Sequence, residues 1–259
     1  MTTLQLERTG TVATLWLDRA DRRNALDGDL MKQLGAALDE VGGDRGTHVV
    51  VIRGRGSVFS SGIDHSLLTQ VFGATQQSPF LHLHYQLQDV FHRMNRLHQP
   101  IVVAMHGVCI GMALELALAA DIRIASPDCV LGLPEIAFGL VPDVGGTTRL
   151  IRAVGEPRAR ELVLTGRLVR AATAERYGLV HEVGNLDERL KVRVDQLASH
   201  SPAALGLAKT LCQASADSDA ATSYRLEGIV QQHLIAQPDL MQRFPQALAF
   251  IKAQVAAAE

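Results

Sequence analysis

Cysteine is scarce in this chain and badly placed for bonding. Cys109, Cys129 and Cys212 are the three in 259 residues, an odd and widely spaced set with no Cys-x-x-Cys and no Cys/His metal spacing. That argues against a disulfide framework or a zinc centre and for a reducing compartment, with the thiols as core fillers. Neither sign of charge is in excess: 25 Lys and Arg oppose 27 Asp and Glu, a net charge of −2. No electrostatic footprint for nucleic acid follows, although Arg19, Arg22 and Arg23 cluster closely enough to hold a small anion. Long apolar runs are missing too. His106, Glu115 and Asp121 interrupt the longest of them, well short of the roughly 20 residues a membrane span needs. The first twenty residues show no basic start followed by an apolar run, so no secretory leader is expected. The expectation is a cytoplasmic protein.

What is present is core-building material. At 47% hydrophobic over 259 residues, the chain can bury a large core as one domain with at most a small appendage. Leu4–Glu7 and Val12–Leu17 flank Thr9-Gly10 as a hairpin would. Leu26–Gly42 places Leu30, Leu34, Ala37, Leu38 and Val41 at helical spacing, and Val49–Arg53 is a buried strand. The segment from Gly62 to about Ser78 is polar and mixed, a loop or short helix. Pro79–His98 is a longer amphipathic helix that ends before Pro100, and Ile101–Met105 is another strand. Alternating strands and helices predict an α/β fold. From about Asn185 the β signal fades, leaving helices punctuated by Ser201-Pro202, Ala214–Thr222 and Gln237-Pro238. We therefore expect a core over 1–195 and a helical oligomerisation region over 196–259.

Three carboxylates stand out in one apolar stretch: Glu115, Glu135 and Asp143. A carboxylate there loses hydration, which raises its pKa toward a range useful for proton transfer unless it is paired or hydrogen-bonded. Two glycine-bearing loops precede or accompany them. Phe59-Ser60-Ser61-Gly62-Ile63-Asp64 follows the strand Val49–Arg53, and the segment from His106 to Ala113 follows the strand Ile101–Met105. A helix beginning at Gly111–Met112 leaves its first N–H groups unpaired, with the positive end of its dipole exposed to an anionic oxygen.

The stretches FSSGID (59–64), HGVCIGMALEL (106–116), AADIRIAS (119–126), PEIAFGLVPDVGGTTRL (134–150) and LTGRLVRAATAERYGLVHEVG (164–184) occur in the order found in the crotonase, or enoyl-CoA hydratase/isomerase, superfamily. From Leu4 to Val183 the chain resembles that family. The resemblance implies a spiral of ββα units with a helical C-terminal trimerisation region, assembled as a homotrimer or hexamer. It also implies an acyl-CoA substrate and no cofactor beyond the coenzyme A carried by that substrate, no metal, no membrane and no nucleic acid. The implied oxyanion hole uses the backbone N–H groups of Ile63 and Met112. Hydratases usually carry alanine and glycine at these positions, so both side chains narrow the acyl pocket. Glu115 and Glu135 match the two hydratase acids that hold the water added across a 2,3-double bond, Glu115 as base toward C3 and Glu135 as proton donor to C2. Coenzyme A binding is implied for Arg22, Arg23, Ala25, Ser61, Gly62, Asp64 and Gly111, the two arginines serving the phosphates.

Plainer readings stand beside these. Asp143 can cap the following helix, Glu135 can pair with Arg123, Arg149 or Arg152, Asp64 can fix its own loop, and His106 and Cys109 can be packing residues. Asp143 also resembles the acid of the double-bond isomerases, where hydratases have a small residue. Hydratase is the expected activity, with enoyl-CoA or dienoyl-CoA isomerase as the alternative. A non-catalytic acyl-CoA-binding or RNA-binding relative is the third reading.

Overall fold

The hairpin is built from β1 (Leu4–Thr9) and β2 (Val12–Leu17), antiparallel, with Leu4 opposite Leu17 and Thr9 opposite Val12. The computed structural model describes residues 3–73 and 77–258. The last part of the polar stretch ending near Ser78 thus lies partly outside the described residues. The chain then alternates. In order come α1 (Gly28–Gly43), β3 (Val49–Gly54), α2 (His65–Gly73), α3 (Gln77–Arg96), β4 (Ile101–Met105), β5 (Val108–Ile110), α4 (Met112–Leu118), β6 (Ile122–Ala125) and β7 (Val130–Gly132). A 3-10 turn (Glu135–Phe138) leads to α5 (Gly146–Val154), α6 (Glu156–Thr165), β8 (Val169–Arg170), α7 (Ala171–Arg176), β9 (Glu182–Val183) and α8 (Leu186–Ser199).

Six strands form one sheet in the order β1-β2-β3-β4-β6-β9, parallel from β2 onward. A second sheet has the order β5-β7-β8. The strand pairs β4–β5 and β6–β7 are each followed by helix, and Phe59–Ser60 runs along β5 after β3 in the same way. This is a spiral of ββα turns, as the sequence resemblance implies.

Side-chain alternation decides what covers the large sheet. Val50, Ile52, Val103 and Met105 face a core shared with Leu30, Leu34 and Leu38 of α1 and Phe91 and Met94 of α3. Val49, Val51, Val102, Ala104 and Ile124 face the other way, against Leu190 and Val194 of α8. Because both faces are buried, the strands read as continuous apolar runs. Asp27 starts α1 by accepting from Leu30 N–H at 2.8 Å.

The chain divides into two compact units, Met1–Pro202 and Ala203–Glu259. The expected boundary at 195 falls inside α8, which stays with the first unit because Leu190 and Val194 are buried on the sheet. The second unit consists of α9 (Pro202–Asp217, from its second residue), α10 (Ala220–Ile235) and α11 (Leu240–Ala258).

Candidate active site

Glycines allow two strand-to-helix turns to meet. Phe59 N–H donates to the His106 carbonyl at 2.8 Å and Ser60 N–H to that of Val108 at 3.0 Å, so the 59–62 loop lies along β5. Gly62 has φ +89, and a Cβ there would lie 2.6 Å from the Ile110 carbonyl oxygen and 3.5 Å from the Met112 nitrogen. Any larger residue would drive the loop away from the start of α4. Gly111, at φ +57, turns β5 into α4. Among the described residues the Ile63 and Met112 N–H groups donate to no protein carbonyl, and both residues line the same cavity.

The loop is held from behind by a turn with two left-handed residues, Arg23 at φ 54 and Asn24 at φ 52. Non-glycine residues adopt that conformation only where the surroundings impose it. Asn24 is fully buried. Its amide donates to the Arg55 and Val58 carbonyls at 2.8 and 2.9 Å, and its carboxamide oxygen accepts from Arg19 N–H at 2.9 Å. The Asn24 carbonyl accepts from the Ser60 hydroxyl at 2.7 Å, and that hydroxyl accepts from Gly62 N–H at 3.2 Å.

Glu115 projects from α4 at 2% exposure. Its Oε1 accepts from Val144 N–H at 3.1 Å and from Gly146 N–H at 2.8 Å, at the start of α5, a ready-made site for an anion. Burial still dominates: it lifts the Glu115 pKa to about 8, helped by the negative charges of Glu135 and Asp143 and opposed by the two amides. Glu135 opens the 3-10 turn. Burial lifts its pKa to about 7, with Asp143 adding to the rise, and its Oε2 is buried without a hydrogen-bond partner. The Glu135 carboxylate lies beside Gly111, where a Cβ would come within 3.3 Å of Oε1. A buried, unsatisfied carboxylate oxygen in a cavity is a group awaiting a ligand or a proton.

The cavity has a volume of about 370 Å³. Ser61, Gly62, Ile63, Gly111, Met112, Glu115, Glu135 and Asp143 all line it, with Leu68, Leu83, Leu87, Phe138 and Leu140 as its apolar walls. The structure thus brings together most of the residues singled out in the sequence. Four sit elsewhere. Arg22 is an exposed side chain 3.9 Å from Asp21, and Arg23 is exposed, its carbonyl accepting from Ser61 N–H at 3.0 Å. Ala25 is buried and its carbonyl is taken by the Arg19 guanidinium. The Asp64 carboxylate does not line the cavity and serves its own loop. Its Oδ1 accepts from the Ser66 amide and hydroxyl, and its Oδ2 from Arg19 at 3.0 Å. Those bonds hold its carboxyl below the usual range and commit it to the loop. Arg19 pairs with Asp27 as well, at 2.9 Å, so it too is internal.

Two of the plainer readings also give way. The residue capping α5 is Gly145, with no side-chain cap, and Asp143 instead places Oδ2 3.1 Å from His84 Nδ1. The Arg123 guanidinium bonds the Leu179 and Ala120 carbonyls, and that of Arg149 bonds the Val144 carbonyl and Asn95, whereas Glu135 Oε2 has no partner. Sequence reasoning missed His84, Gln88, Asn24 and the amides of Val144 and Gly146. Only Asn24, a polar residue between Arg23 and an apolar pair, carried even a faint local signal. Among the described residues no group of three or more His, Cys, Asp or Glu side chains is placed to hold a metal, and no helix is long and apolar enough to cross a membrane.

A ββα spiral that brings two orphan amides, one buried acid and one half-buried acid into one cavity defines a crotonase-type protein. The chain belongs to the enoyl-CoA hydratase/isomerase family, whose model matches residues 7–249. It is similar to the 2,3-dehydroadipyl-CoA hydratase of Escherichia coli strain K12, at 34% identity over 213 residues covering 81% of each chain. Its fold matches the crystal structure of enoyl-CoA hydratase from Bacillus anthracis with a TM-score of 0.88 at 29% identity, covering 95% of this chain and 97% of that one. A Thermobifida fusca protein crystallised in complex with acetoacetyl-CoA matches with a TM-score of 0.81 at 34% identity, over 90% of this chain and 95% of that one.

Proposed function

We propose that this chain is an enoyl-CoA hydratase that adds water across the 2,3-double bond of a trans-2-enoyl-CoA in acyl-CoA degradation. The observation that carries the proposal is the pair Glu115 and Glu135, both with raised pKa values, facing one cavity with the Ile63 and Met112 amides. The thioester oxygen would sit between those amides. Each donor aimed at the enolate oxygen that develops there contributes about 3–4 kcal/mol. Water held by the two carboxylates loses a proton to Glu115 as its oxygen attacks C3, and Glu135 delivers a proton to C2 on the same face. Burial raises both carboxyl groups toward neutrality, Glu115 to about 8 and Glu135 to about 7, so each can give up or take a proton near ordinary pH, Glu115 acting in its ionised form as the base.

The acyl chain would run along Leu83, Leu87, Phe138 and Leu140, with Ile63 and Met112 narrowing the entrance. Coenzyme A would pass over the 61–62 loop. Arg22 and Arg23, exposed beside that loop, would meet its phosphates. No further cofactor is needed for the reaction, and we place the enzyme in the cytoplasm as a homotrimer or hexamer. Asp143 in the same cavity supports a second reading, a double-bond isomerase in which it is one of the proton-transfer groups.

Absorbance of the conjugated enoyl thioester, followed on crotonyl-CoA beside 3-enoyl-CoA and 3,5-dienoyl-CoA, separates the readings. Glu115→Gln and Glu135→Gln should each lower hydration turnover by at least about 10²-fold with coenzyme A binding nearly intact. Asp143→Asn should keep most hydration activity. A wild-type enzyme that hydrates no 2-enoyl-CoA, yet shifts double bonds in an Asp143-dependent way, would replace hydratase by isomerase.

A further inference from the structure

Helix α3 does more than wall the cavity with Leu83 and Leu87. His84 and Gln88 lie one turn apart on it, and both reach residue 143. His84 Nδ1 is 3.1 Å from Asp143 Oδ2, and Gln88 Nε2 donates to the Asp143 carbonyl at 3.1 Å. A third residue of α3, Asn95, accepts from Arg149 at 3.2 Å, and Arg149 donates to the Val144 carbonyl at 2.9 Å. One helix thus grips the 143–149 segment at three points. The residue gripped by both carboxylate and carbonyl comes directly before Val144, whose N–H, with that of Gly146, holds Glu115 Oε1. The His84 side chain is 15% exposed and that of Asp143 43%, so the contact itself, partly wet, adds little stability. Its value is geometric: it fixes a backbone that carries two donors to a buried acid.

We propose that His84 and Gln88 are positioning residues, holding residue 143 so that the Val144 and Gly146 amides stay on Glu115 and the docking of α3 sets that carboxylate. The kinetic consequence rests on the hydratase reading. The structural consequence does not. A misplacement of about 1 Å at a reacting group can cost about 10²-fold in rate, so a loosened clamp acts on kcat. Gln88 lies outside the cavity lining, so its effect falls on kcat; His84 lines the cavity, so KM is read beside kcat in its variants.

The experiment combines amide exchange by NMR with kinetics on His84→Leu, His84→Asn, Gln88→Leu, Asp143→Ala and the double variant of His84→Leu with Asp143→Ala. Asparagine keeps an amide donor near the position of Nδ1, whereas leucine removes it. Exchange of the Val144 and Gly146 amides should rise about 10-fold or more in His84→Leu and Gln88→Leu, stay within about 3-fold of wild type in His84→Asn, and be unchanged across α1. On crotonyl-CoA, kcat should fall about 10-fold in His84→Leu with KM within about 3-fold, and adding His84→Leu to Asp143→Ala should cost nothing further. Unchanged exchange at both amides in His84→Leu and Gln88→Leu would overturn the proposal. So would equal loss of kcat in His84→Leu and His84→Asn. A wild type that hydrates no 2-enoyl-CoA would end the hydratase reading, while the exchange measurement would still decide the positioning role.

Discussion

Glu115 shows how one residue can be built for chemistry at the expense of stability. It is 2% exposed, and two amide donors on one oxygen do not outweigh the burial and the neighbouring acids. An acid whose pKa rises from 4.5 unfolded to about 8 folded keeps its proton in the native state while the unfolded chain has lost it. The native state then binds more protons, so stability is fully present below about 4.5, falls as pH rises toward about 8, and levels beyond. Glu135 adds a drop of the same sign that ends near about 7. Glu115→Gln, which cannot ionise and can still accept both N–H bonds, should lose the Glu115 part of this dependence. Its melting temperature should match wild type near about pH 4.5 and exceed it by at least about 3 °C at about pH 8.5. Parallel melting curves for the two proteins across that range would mean that Glu115 is ionised at ordinary pH.

At the scale of elements, glycines set the distances between turns, and two of them fail differently when filled. Gly146 begins α5 in ordinary helical conformation, where alanine favours the helix. Yet a Cβ there would stand 2.5 Å from Glu115 Oε1 and 2.6 Å from its Cγ. The clash falls on the Glu115 side chain rather than on backbone. Gly146→Ala should therefore fold with near-normal melting temperature and lose about 10²-fold in kcat. Gly62 is the opposite case. Its φ of +89 and the Ile110 carbonyl oxygen 2.6 Å away oppose any side chain, so Gly62→Ala should lower melting temperature and activity together. Equal melting temperatures for the two variants would contradict this division. The same contrast explains what the sequence disclosed. Glu115, Glu135 and the loop glycines were legible because an acid in an apolar run, or a glycine between strand and helix, breaks a local pattern. The hairpin, α1 and α3 were legible from period, and β3 and β4 as short apolar runs. The strands β5, β8 and β9 were not, since two or three residues establish no period. His84 and Gln88 read as the polar face of an amphipathic helix, and only tertiary folding brings them to residue 143.

At the scale of the whole molecule, the second unit poses a packing problem. Among the described residues from Ala203 onward, only Gly206 and Ser223 are fully buried, neither of them a large apolar side chain. Large apolar side chains instead face outward: Ile229 and Ile235 on α10, and Met241, Phe244, Leu248, Ile251 and Val255 on α11, each more than half exposed. Phe244, Leu248, Ile251 and Val255 recur at spacings of four, three and four, which puts them on one side of α11. A monomer rarely leaves a contiguous stripe of this kind in water, and a helical segment without a core of its own gains stability chiefly by packing its apolar face on a partner. A second and third copy of the chain are the expected cover. Light scattering at micromolar concentration should give three or six times the 28.0 kDa chain mass. Phe244→Glu combined with Leu248→Glu should lower that mass, because charges buried in an interface without partners cost several kcal/mol each. Because the second unit has no apolar core of its own, the dissociated variant should also lose helical signal relative to wild type. A wild-type monomer, or a doubly charged variant of unchanged mass, would show that α11 is covered by something other than its own kind.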